Sequence, residues 1–200
     1  MNGVNIRMDN KLKSSVVIAL YNGERFILDQ LRTIKAQSRR VDEVIICDDG
    51  STDNSVLIVY DFIQNNNLQN WKIKVNSYNK GYALNFIDML KEAQNEIVFL
   101  CDQDDLWKNN KIELMMSVME KNDNINLLCG DNDFQIIEGS HSRTETMETN
   151  NMQYDGSIEH VLATKRNMHI QRSGCLMCVR KSFFSAINSF WIPGWAHDDF

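Results

Sequence analysis

The run Ser15 to Leu20 is apolar from end to end, without the alternation of a strand that keeps one face in water. A strand of that kind needs cover on both faces, as in a parallel sheet packed between helices. The next eighty residues repeat one unit of turn, helix and strand. Asn22 and Gly23 supply a turn and a cap, and Glu24 to Gln37 carries Ile27, Leu31 and Ile34 at helical spacing. Val44 to Cys47 then leads through an acidic turn into a helix from Asp53 to Gln64. Trp71 to Val75 leads through Asn79 and Gly81 into a helix from Ala83 to Ala93, and Ile97 to Cys101 closes the series. Strands and helices alternating at these lengths imply right-handed βαβ units. The expected fold class is α/β, a mainly parallel sheet flanked by helices, with ligands at the carboxyl ends of the strands.

A chain of 200 residues is the size of one ordinary domain, here expected over 14–200 after a polar tail, 1–13. The net charge of −6 argues against a nucleic-acid groove, which needs clustered Lys and Arg. No apolar span approaches the roughly 18 residues of a membrane helix, and the first residues are polar rather than signal-like. A cytoplasmic protein is expected, with peripheral contact at the inner face of a membrane left open. Five scattered cysteines fit reduced thiols; Cys175 and Cys178 form a lone CxxC among apolar residues and read as a buried strand rather than a zinc site. Ile112, Met115, Met116 and Met119 share one helical face and read as core. Asp131 to His169 is the least regular stretch, expected as an insertion or mobile loop over a site.

Two acidic clusters sit at strand ends. Asp102, Gln103, Asp104 and Asp105 come directly after Ile97 to Cys101, and Asp48, Asp49, Gly50, Ser51, Thr52 and Asp53 directly after Val44 to Cys47. Carboxylates packed so tightly repel one another and recruit a cation, and hard oxygen ligands suit Mg²⁺ or Mn²⁺. The pair suggests one acidic cleft built from two strand ends. A third acidic group, His197, Asp198 and Asp199, precedes Phe200.

In their order and spacing, Ser15 to Asn22, Cys47 to Asp53 and Asp102 to Trp107 resemble the family 2 glycosyltransferases of GT-A (Rossmann-like) fold. The form DQDDxW, preceded by Asn79, Gly81, Asn85 and Phe86, is most similar to the bacterial branch that includes rhamnosyltransferases of surface polysaccharide assembly. The resemblance implies an inverting transfer of a sugar, dTDP-rhamnose being the favoured donor, from a nucleoside diphosphate to a saccharide or lipid-linked saccharide. It makes Asp104 and Asp105 the candidates for metal and ribose contacts, and gives Asp102 the metal-bound water or the ribose. Asp105 has a second reading, a cap on a helix beginning near Lys108. Asp49, with Asp48 beside it, matches the position that accepts a hydrogen bond from the donor base, and Tyr21 matches a residue near that base. Trp107 is expected to pack beneath the metal site. Asp198 matches the family's catalytic base, with Asp199 as alternative, His197 as orienting neighbour and Trp191, Ile192 and Trp195 as its cover. Relatives usually continue beyond this motif, so the chain is expected to be truncated at its C-terminus. Two other readings stay open: a nucleotidyltransferase, and a domain that binds nucleotide without turnover.

Overall fold

A computed structural model describes residues 11–130, 134–138, 141–145 and 174–187. The described residues form a six-stranded sheet of β1 (Ser14–Leu20), β2 (Glu43–Asp48), β3 (Trp71–Val75), β4 (Ile97–Asp102), β5 (Leu127–Cys129) and β8 (Met177–Arg180). The spatial order is β3-β2-β1-β4-β8-β5, and β6 (Phe134–Glu138) pairs with β7 (His141–Glu145) in a separate hairpin. The helices are α1 (Ile27–Lys35), α2 (Ser55–Asn65), α3 (Tyr82–Glu92), α4 (Lys111–Lys121) and α5 (Lys181–Ile187). This is the expected α/β domain. Parallel pairing holds for β3, β2, β1 and β4, while β8 runs antiparallel to both β4 and β5.

Side-chain parity divides the core into two layers. Val16, Ile18 and Leu20 of β1 pack with α1, α2 and α4 on one face, whereas Val17 joins α3 and α5 on the other. The methionine stripe of α4 lies in the first layer, as its spacing implies. Phe99, fully buried, meets the Trp107 ring at 6.0 Å between centroids; burying a side chain of this kind contributes roughly 2–3 kcal/mol.

Helix starts differ from expectation because tertiary contacts take the capping groups. Asn22 does not cap α1. Its Oδ1 accepts from Thr52 N at 2.9 Å, and the chain makes a turn, with Phe26 N and Ile27 N donating to Gly23 O, before α1 begins at Ile27. Asn54, the N-cap of α2, makes no side-chain capping bond, and Asp53 just before it accepts from Ser55 N at 3.0 Å instead. Helix α4 begins at Lys111 rather than near Lys108, so Asp105 is not its cap. Within the stretch expected to be irregular, β6 and β7 pair antiparallel. Among the described residues no helix is long and apolar enough to cross a membrane.

At the N-terminal ends of the strands, Glu43 accepts hydrogen bonds from Ser15 Oγ (2.7 Å), Gln94 N (2.9 Å) and Lys72 Nζ (3.3 Å). Burial alone would raise its pKa, but the donors outweigh burial and hold it below the ordinary 4.5. A carboxylate depressed in the folded state stabilises the fold above its unfolded pKa, and loses that contribution as pH falls through the folded one. Glu43→Gln is expected to cost about 1–2 kcal/mol near pH 7. The gap from the unsubstituted chain should close under acid, below about pH 4.5. Urea melts at stepped pH check this; a gap that stays constant into acid would refute the assignment.

Candidate active site

Strand register builds the site. Leu20 lies opposite Asp48, and Ala19 opposite Asp102, so three strands end side by side and release the loops carrying Tyr21, Asp49 and Gln103 at one edge of the sheet. Cross-links fasten these loops together. Asn22 N donates to Ser51 Oγ (2.8 Å), Gly23 N to Ser55 Oγ (2.7 Å) and Glu24 N to Asp53 Oδ2 (3.0 Å). Ser51 and Asp53 therefore have structural roles, as their types suggest. Hydrogen bonds from Ser55 and Glu24 N outweigh desolvation and hold the Asp53 carboxyl below its usual range.

The two carboxylates after β2 are buried rather than displayed. Asp48 is fully buried; its Oδ2 accepts from Gly50 N (3.1 Å) and Ser51 N (2.9 Å), while Oδ1 has no partner. Asp49 is 3 % exposed and receives Asn76 Nδ2 (2.9 Å), Lys80 N (3.1 Å) and Gly81 N (2.8 Å). Its carboxylate, expected to face a base, is thus largely spent on the β3–α3 loop. Gly50 and Gly81 both have φ of +85°, the region that favours glycine. A Cβ on Gly50 would also sit 3.5 Å from Asn79 N, so the two loops meet there backbone to backbone. Buried Asn85 completes the cradle, donating to Cys47 O at 2.8 Å and accepting from Asn76 Nδ2 at 3.2 Å. Asn79 accepts from Gly81 N at 3.1 Å and shapes the same loop. Tyr21 stands at the rim, 48 % exposed.

The acidic turn after β4 separates its carboxylates by environment. Asp104 is exposed, whereas Asp102 and Asp105 are half-buried. Ligand atoms of Asp102, Asp105 and Cys175 all lie within 4.8 Å of one another, and Asp104 is outside that group. Asp105 Oδ2 faces Asp102 N at 3.4 Å. Burial pushes the Asp105 carboxyl above its usual range, a rise partly offset by the Cys175 thiol and the Lys111 charge. Lys111 is itself pushed down by burial; its Nζ lies 4.1 Å over the Trp107 ring and donates to Cys175 O at 3.0 Å. Trp107 is buried beneath this turn, in its expected core role. Cys178 is buried, and burial pushes its thiol up to about 12, so the CxxC carries no reactive thiolate there.

Hard oxygen donors fit a divalent cation of the Mg²⁺ or Mn²⁺ type, and exposed Asp104 offers one beside half-buried Asp102. The buried, soft Cys175 thiol does not suit such an ion. Two cavities of about 340 and 360 Å³ lie elsewhere: one beside α3, lined by Lys74, Lys80 and Asp88, the other around Trp71 and Gln94. Neither is lined by Tyr21 or the acidic turn. Asp198, Asp199, His197, Trp191, Ile192 and Trp195 lie outside the described residues. Sequence reasoning missed Gln103, Asn76 and Cys175 as parts of the site, although Gln103 stood inside the DQDDxW motif and Cys175 inside the CxxC.

Residues 15–184 match the family model described as Glycosyl transferase family 2. WfgD of Escherichia coli, a UDP-Glc:alpha-D-GlcNAc-diphosphoundecaprenol beta-1,3-glucosyltransferase, is 32% identical over 133 residues, covering 66% of this chain and 49% of that protein. The crystal structure of S. aureus TarS 1-349 superposes with a TM-score of 0.71 at 22% identity, over 94% of this chain and 53% of that one. The mannosyltransferase PcManGT of Pyrobaculum calidifontis, solved with GDP-Man and Mn²⁺, gives a TM-score of 0.53 at 21% identity, over 58% of this chain and 34% of that one. The fold is that of the GT-A enzymes, and the chain spans about half the length of the curated relatives it matches. On a family match that runs through nearly every strand and helix described above, this chain belongs to the family 2 glycosyltransferases.

Proposed function

We propose that this chain is a metal-dependent, inverting glycosyltransferase domain. It would move a sugar from a nucleoside diphosphate to a saccharide or lipid-linked saccharide in surface polysaccharide synthesis, working in the cytoplasm at the inner face of the membrane. The observation that carries this reading is the convergence of the Tyr21, Asp48–Asp49 and Asp102–Asp105 loops at one edge of the sheet, with Asp104 exposed to solvent. Tyr21 would offer its ring to the base at little entropic cost, over a floor that Asp48 and Asp49 keep in shape. Asp104 would hold the cation, with Asp102 beside it reaching the ribose or a metal-bound water. When bound, Mn²⁺ or Mg²⁺ would neutralise charge on the leaving diphosphate as a Lewis acid. Asp105, turned toward Cys175 and Lys111, would hold the turn in place rather than bind the ion. Asp198 would take the proton from the acceptor hydroxyl on the face opposite the leaving group.

The sugar is proposed as a hexose. Rhamnose rests on the form of the DQDDxW motif alone, since WfgD is named for glucose and PcManGT was solved with GDP-mannose. Thermal-shift measurements with UDP, dTDP, GDP and CDP sugars, each with Mn²⁺, Mg²⁺ or chelator, test the reading. Metal-dependent stabilisation by at least one donor is expected, and none with any donor would sink it. Asp198→Asn should bind that donor as well as the unsubstituted chain does, and lost binding would refute its role as base.

A further inference from the structure

We infer that Gln103 is a positioning residue that locks the base end of the site to its metal end, an inference that rests on the transferase reading above. Its side-chain amide bonds the backbone of Tyr21 at both polar atoms. Tyr21 N donates to Gln103 Oε1 at 2.8 Å, and Gln103 Nε2 donates to Tyr21 O at 3.1 Å. The two residues are 82 positions apart, so this contact spans from the loop after β1 to the turn after β4. Gly23 leaves the room that the amide occupies. A Cβ there would lie 2.4 Å from Gln103 Oε1 and 2.7 Å from Gln103 Cδ. The reason for glycine at this position is space for the amide.

The lock sits between the groups that a nucleoside diphosphate would touch. Tyr21, whose backbone it holds, is the ring at the base end; Asp102 and Asp104, its chain neighbours, face the diphosphate end. On its other side the Tyr21 loop is already bolted to the β2–α2 loop through Ser51, Asp53 and Ser55. Gln103 ties the turn after β4 to this pair of loops, and fixes the separation of the two ends before a ligand arrives. Such preorganisation appears as affinity, because a loose joint must be ordered on binding.

The chemistry of the contact supplies its own test. A methyl group on Gly23 would meet the Gln103 amide and, at 3.0 Å, Leu20 Cδ1, so Gly23→Ala should displace the amide at the cost of a small shift of the Leu20 side chain. Calorimetric titration of the chain with UDP, dTDP, GDP and CDP, in MnCl₂, reads the outcome. Gly23→Ala and Gln103→Ala are each expected to weaken nucleotide binding about tenfold, and the double variant no more than either alone, since both break one contact. The melting temperature of Gln103→Ala should stay within about 2 °C of the unsubstituted chain, because its contact lies at the exposed rim. In turnover assays donor KM should rise about tenfold while kcat stays within about twofold. Undiminished binding by both single variants, or losses that multiply in the double variant, would overturn the lock while leaving the transferase reading intact. Failure of the unsubstituted chain to bind any of the four nucleotides would overturn both.

Discussion

Asp104→Asn is expected to remove the metal-dependent part of nucleotide binding, weakening affinity measured in MnCl₂ by at least about 100-fold, or some 2.7 kcal/mol. The substitution keeps the volume and one carbonyl oxygen, and removes the unit negative charge that a hard divalent cation demands. Because Asp104 is exposed and outside the group that Asp105 forms with Asp102 and Cys175, its loss should leave the melting temperature of the free chain unchanged. Asp105→Asn is the contrasting variant. Its carboxyl, raised by burial and steadied by the Cys175 thiol and Lys111, is part of the packing under the turn. That variant should lower the melting temperature while changing the metal response less than about tenfold. Calorimetry with and without chelator separates the two. If Asp105→Asn abolishes the metal response and Asp104→Asn keeps it, the ligand register is the reverse of the one proposed.

The strands were legible in the sequence because β1, β2 and β4 are buried on both faces and must be apolar throughout, and their parallel pairing is implied by the alternation with helices. For β8 the strand was legible and its antiparallel direction was not, since a four-residue run such as Met177–Arg180 carries no mark of direction. Helix starts slipped because Asn22, a capping residue by type, bonds Thr52 on another loop instead. In the site, residue types were legible and environments were not. Asp49 and Asp104 look alike in sequence, yet one is 3 % exposed under three N–H donors and the other stands in solvent. Gln103 sat unremarked inside the most conspicuous motif, because its partner lies 82 residues away. Long-range hydrogen bonds of that kind leave no periodicity behind. They decide which carboxylate is free to meet a ligand.

The largest effect on stability is expected at Arg180, a buried arginine whose guanidinium is spent on backbone carbonyls. Its Nε donates to Ile125 O at 2.8 Å, and one Nη donates to Met119 O at 2.7 Å and Asn122 O at 3.2 Å. Met119 lies in the last turn of α4, and Asn122 and Ile125 come just after it, so the charge sits where the helix presents unsatisfied carbonyls and the negative end of its dipole. Asn122 Nδ2 takes a neighbouring carbonyl, Val118 O, at 2.9 Å. At the other end of α4, Lys111 Nζ holds Cys175 O. The helix is thus clamped at both ends to the Cys175–Arg180 segment, which carries β8 and places Cys175 against Asp105. Arg180→Met keeps the aliphatic stem and strands three carbonyls away from water. About 3 kcal/mol is expected for such a loss. For a chain of this size that is a fall of roughly 6–12 °C in melting temperature. Arg180→Lys, which keeps the charge but not the fork of donors, should recover only part of the loss. Because β8 also positions the floor of the acidic turn, the Met variant should lose metal-dependent nucleotide affinity along with stability, unlike Asp104→Asn, which loses affinity alone. A melting temperature within about 2 °C of the unsubstituted chain would show that the clamp contributes nothing, and that β8 is held by strand pairing with β4 and β5 instead.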